Sequence, residues 1–146
     1  MPVPGPEGRP AQLIDVASIT ILERTLKAHG KDGTYLWTSP HDWGDVGPDL
    51  EQWIERSGAA LAYAIVAASA VIDFQAAVID GWMPATVRQR LVAAVDTTLR
   101  KIDVEGLEIP EVREGTVGIH ARALGGASLP LSERFLIGST TISRST

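Results

Sequence analysis

Asp73 and Asp80 flank a short apolar run, Phe74-Gln75-Ala76-Ala77-Val78-Ile79. Two carboxylates share general acid–base work only when both reach one substrate. As an extended segment the run holds them well over about 15 Å apart, so they cannot act as a pair. Asp80 alone, followed by Gly81 and Trp82, is the better candidate, because ligands of α/β sheets sit beyond the carboxyl ends of strands. A role as a cap for the turn or helix after Gly81 has at least equal weight. His41, Asp42 and Asp45 are the nearest thing to a metal-ligand cluster. One imidazole and two carboxylates in a loop fall short of the three or four convergent, supported ligands a metal needs. A solvated loop with its aromatics packed on the core is the stronger reading, and no metal is expected. His120 reads as a capping or surface residue. There is no Ser/His/Asp spacing, no phosphate-cradling Gly-Lys loop and no His-x-x-x-His pair. The chain has no cysteine, which excludes thiol nucleophiles, disulfides and thiolate zinc sites.

The elements that would position Asp80 begin with Leu50 to Trp82, read as one long helix running into a short strand. Leu50, Trp53, Ile54, Leu61, Ile65, Ala68 and Ile72 keep helical spacing. From Ala59 to Ile72 no residue is charged, which predicts burial on most sides. Asp49 is the expected N-cap, with Gln52 at the capping-box position. Asp73 ends the helix, 74–80 follows as a strand, Gly81 turns, and Pro84 suits the first turn of the next helix. Residues 85–102 form an amphipathic helix with Val87, Leu91, Val95, Leu99 and Ile102 inward and Arg88, Gln89, Asp96 and Arg100 toward water. Its basic residues, Arg88, Arg90, Arg100 and Lys101, read as a solvated face rather than a nucleic-acid surface. The segment 107–112 alternates, but Pro110 restricts it to an edge strand or a strand end. This strand and 74–80 are expected to lie side by side and parallel, joined by a right-handed crossover through the helix.

Upstream, residues 1–10 hold four prolines and two glycines and read as a flexible lead-in. A chain with such a beginning is expected to be a fragment. Residues 11–29 read as a helix with Asp15 or Ser18 as its cap and Gly30 closing it. Thr34 to Thr38 is a candidate short extended piece inside the long connection 31–48. Downstream, 114–118 is a turn, 121–135 a small-residue helix interrupted at Pro130, and 138–146 a frayed tail. The domain proper therefore spans 11–137.

At 146 residues the chain is long enough to bury one core. Its net charge of −5 argues against direct nucleic-acid binding through phosphate contacts. No charged n-region followed by an apolar run opens the chain, so no secretory signal is expected. The uncharged run Ser57–Ile72 is shorter than the roughly 20 residues of a membrane span. A cytoplasmic protein without membrane contact is expected.

The order of elements, with Ala77-Val78-Ile79-Asp80-Gly81-Trp82 and the block Ala121-Arg122-Ala123-Leu124-Gly125-Gly126-Ala127-Ser128-Leu129-Pro130-Leu131, resembles the C-terminal half of ROK proteins: repressors, open reading frames and sugar kinases. The resemblance covers roughly 15–137. It implies an α/β chain of mainly helical character with a small parallel sheet, the C-terminal lobe of an actin-like, ribonuclease-H-like fold, and a homodimer. It also implies that Asp80, Gly81, Trp82, Gly125 and Gly126 stand where family kinases hold the adenosine of ATP. Of the glycine run at the strand end only Gly81 remains; Asp80 brings a charge and Trp82 bulk. Trp82 keeps a stacking surface for some other planar ligand. The phosphate loop, catalytic aspartate and sugar-binding motif of the family's N-terminal half are absent. The resemblance therefore implies a sugar-sensing and dimerisation lobe of a ROK-type transcriptional regulator, with no catalytic residue and no cofactor, and a sugar ligand only together with the missing lobe. A fragment of a ROK sugar kinase and a stand-alone dimerisation domain are the alternatives.

Overall fold

The computed structural model describes residues 1–102, 106 and 108–120. The expected helix at 121–135, the tail at 138–146 and the candidate positions Gly125 and Gly126 lie outside the described residues.

The lead-in expected to be flexible is paired. Strand β1 (Pro2–Pro4) runs antiparallel to β2 (Pro10–Gln12), with Val3 opposite Ala11. Val3 is buried against Val16, Ala60 and Ala64. An apolar side chain seated among small helix residues offsets the ordering cost that composition alone suggested would not be met.

The helix expected at 11–29 is broken. α1 (Ile14–Ala17) stops at Ser18, which is extended, and α2 (Ile19–Ala28) restarts beyond it. The Ser18 hydroxyl accepts the Thr20 N–H at 3.2 Å, a side-chain cap, so Ser18 rather than Asp15 caps α2. The central helix donates to two carbonyls at the break: Ser57 Oγ to Val16 O at 3.4 Å, and Trp53 Nε1 at 3.0 Å to Ser18 O, which also accepts Ile21 N. Gly30, at φ 73°, closes α2 as expected. Residues Tyr35–Thr38 form a one-turn helix, α3, not an extended piece; Leu36 is buried beneath it.

The central helix α4 spans Pro48–Ser69. Gly47 is its N-cap and Pro48 its first residue, which displaces Asp49 from the capping role. Asp49 is instead buried, accepting from His29 Nδ1 and Lys31 Nζ at 2.7 Å each. Leu50, Trp53 and Ile54 join the main core with Leu22, Leu26 and Leu36. The expectation of burial on most sides fails in the second half: Tyr63 is 48% exposed, Val71 84% and Ile72 63%. Ala60 and Ala64 are covered by the N-terminal hairpin, Ile65 and Val66 pack half-buried against the main core, and continuous exposure begins at Ala70.

Helix α5 (Ala85–Leu99) lies against α4 so closely that a Cβ on Gly58 would stand 2.8 Å from Ala94 Cβ. Val87, Leu91, Val95 and Leu99 are buried as their spacing requires. Strand β3 (Ala76–Ile79) is parallel to β4 (Glu111–Glu114), in register from Ala76 opposite Glu111 to Ile79 opposite Glu114. Both strands are shorter than expected, and β4 begins after Pro110, where the chain first regains a backbone donor. Glu114, expected in a turn, is the last residue of β4. The result is a mixed chain of helices and two small sheets, one parallel. Among the described residues no helix is long and apolar enough to cross a membrane.

Candidate functional site

The parallel pair brings two segments together at its carboxyl end: Asp80–Met83 after β3 and Gly115–Gly118 after β4. The ladder continues one step past the strands, with Gly115 N donating to Ile79 O at 2.8 Å. This fixes the second loop directly over Asp80. Oδ1 of Asp80 accepts from Gly81 N at 2.8 Å and Gly118 N at 2.9 Å; Oδ2 accepts from Val117 N at 3.0 Å and Gly118 N at 2.9 Å. The backbone donors, Gly118 first among them, hold the Asp80 carboxyl below the usual carboxylate range, against the opposing effect of desolvation.

Sequence reasoning offered Asp80 as a free chemical group or as a cap. It is a tether: it caps the loop after β4 and not α5, which has no side-chain cap. Gly118, at φ 49°, turns its N–H toward the carboxylate. Gly115 has no room for a side chain, since a Cβ there would collide with Asp80.

Arg88, expected to face water, is drawn into the site. Its side chain is only 12% exposed; Nε and Nη2 lie 2.9 Å from Glu114 Oε1, and Nη1 lies 3.7 Å from Asp80 Oδ1. From the sequence, Arg88 is expected on the solvated face and Glu114 in a turn, and neither at the site. The signal was spacing: Arg88 falls three before Leu91 and seven before Val95, on the edge of the core stripe rather than opposite it.

Beside this cluster is a cleft of about 210 Å³ lined by Pro40, His41, Met83, Ala85, Arg88, Thr116–Gly118 and His120. His41 and His120 are exposed on its walls. Trp82 is half-buried and outside this lining. His41 is separated in role from its sequence neighbours: Asp42 and Asp45 accept Gly44 N and Gly47 N, at 2.7 and 3.0 Å, closing local turns. Among the described residues no group of three or more His, Cys, Asp or Glu is placed to hold a metal ion. Trp43 is buried beneath that loop, as the solvated-loop reading requires.

Chemically, the arrangement can hold a loop in place and can present imidazoles and one guanidinium to a small ligand. Among the described residues it holds no activated nucleophile, and its best placed carboxylate, Asp80, is taken up by backbone amides.

No family model matches the chain. It is similar to an uncharacterized protein, y4fQ, of Sinorhizobium fredii (strain NBRC 101917 / NGR234), at 31% identity over 88 residues. Those residues are 60% of this chain and 22% of y4fQ, so the match spans about a fifth of the relative's length.

Proposed function

We propose that this chain is the C-terminal lobe of a ROK-type transcriptional regulator, of actin-like fold, that senses a sugar together with a further lobe and forms a homodimer. It acts in the cytoplasm and performs no catalysis of its own. The observation that carries this reading is the use of Asp80. Where a kinase needs bare backbone against its nucleotide, this strand end carries a carboxylate that takes up the loop amides for itself. Phosphoryl transfer also needs positioned phosphates, a metal and a base for the sugar hydroxyl. The described residues supply no such set. The parallel strands joined through α5 support the fold. The exposed apolar residues Tyr63, Val71 and Ile72 support a covered, associating face.

The test is calorimetric titration of ATP with magnesium into the native protein and into Asp80→Gly. The native protein is expected to give no heat of binding at micromolar concentrations. Low-micromolar affinity for ATP would sink the regulator reading. Sedimentation at the same concentration is expected to give a dimer; a lone species of 15.6 kDa would remove the assembly part.

A further inference from the structure

Three backbone N–H groups from two separate segments converge on one anion. Gly81 comes from the turn after β3, and Val117 and Gly118 from the loop after β4. Successive amides turned inward by a positive-φ glycine make a concavity suited to anions. The Arg88 guanidinium stands behind it, 3.7 Å from the bound oxygen. The occupant is not sealed in: the Asp80 side chain is 24% exposed, and Arg88, Val117 and Gly118 also line the adjoining cleft.

We propose that the Gly81 and Val117–Gly118 amides form an anion cradle whose resident occupant is the chain's own Asp80, an autoinhibitory contact, and that without this side chain the cradle takes a small oxyanion, carboxylate or phosphate. The cleft is large enough to admit either group. Because Asp80 is tethered, its effective concentration at the cradle is on the order of millimolar or higher, and a dilute external anion does not displace it. The cradle goes beyond the regulator reading and holds whatever the whole protein does.

The experiment compares the native protein, Asp80→Ala and Asp80→Asn. Sodium formate and sodium phosphate are titrated into each, with sodium chloride at matched ionic strength as the control. The readouts are the amide resonances of Val117 and Gly118 and the thermal midpoint. In Asp80→Ala both resonances are expected to move saturably with formate or phosphate, with a rise in midpoint that chloride does not give. The native protein and Asp80→Asn, whose cradle stays filled, are expected to show neither. A folded Asp80→Ala that answers to neither anion overturns the proposal, as does an equal response in the native protein. Should Asp80→Ala fail to fold, it is refolded with formate present: recovery supports the cradle, and no recovery while Asp80→Asn folds overturns it. ATP binding plays no part in these readouts, so the two readings fail separately.

Discussion

Asp80 and Gly118 are 38 residues apart in sequence, yet both carboxylate oxygens of the one lie 2.9 Å from the backbone nitrogen of the other. Asp80→Asn tests what this contact is worth. An amide side chain offers one acceptor oxygen and turns an NH₂ against the remaining N–H donors. The expected loss is about 1–2 kcal/mol, at the low end for charge-assisted bonds because part of the carboxylate stays wet. Urea unfolding measures it, and amide exchange at Val117 and Gly118 should accelerate more than exchange in α5.

Arg88→Met removes the cation shared by Asp80 and Glu114. The methionine keeps much of the side chain's bulk, but the two carboxylates that share the guanidinium lose their counter-charge. The expected cost is about 2 kcal/mol or more. Adding Glu114→Gln to Arg88→Met should recover part of it. Equal stability of the single and double variants in a thermal melt would show that Glu114 is wet enough to need no partner.

Asp49 joins the first turn of α4 to the segment after α2 through Lys31 and His29. The Lys31 ammonium hydrogen bond is the largest cause holding its carboxyl below the ordinary value, with the His29 bond acting the same way and desolvation opposing them. A folded-state pKa below the unfolded one gives stability that is present above the unfolded value, about 3.9, and is lost as pH falls through the folded one. The thermal midpoint of the native protein should therefore exceed that of Asp49→Asn at neutral pH. The gap should close on acidification below about pH 4. A gap that persists unchanged at the acid end would assign Asp49 a packing role instead.

Gly58→Ala puts a methyl 2.8 Å from Ala94 Cβ and 3.3 Å from the Ala94 carbonyl carbon. Overpacking costs about 1–3 kcal/mol, against a helix-propensity gain of about 1 kcal/mol, so net destabilisation is expected. Combining it with Ala94→Gly should show favourable coupling in a double-mutant cycle. Additive effects would mean that α4 and α5 slide apart freely.

Much of the architecture is legible in the residues. The 87/91/95/99 stripe fixes the buried face of α5, and the strand–turn–helix–strand order around Gly81 and Pro84 predicts the parallel pair. What the sequence does not reveal depends on long-range partners. Ser18 breaks a helix whose local spacing is continuous, because Trp53 and Ser57 donate to carbonyls at the break. Val3 orders a proline-rich lead-in because Ala60 and Ala64 leave it a seat. At the site, Asp80 is visible as a strand-end carboxylate, but its partners are backbone amides, which no residue type advertises. Arg88 is misplaced because a helix-face reading sorts charge outward, whereas two carboxylates at a strand end draw it in.

The fit of Gly115 against Asp80 makes the history of this loop depend on order. While the aspartate stands, no residue with a side chain can be accepted at 115, however neutral it would be elsewhere. Once Asp80 becomes glycine, the space at 115 opens and later changes there are no longer tested against it. A change at 115 in turn forecloses a return to aspartate. The two positions thus act as a ratchet, and descendants of such a chain would carry either the tethered pair or two independently drifting sites.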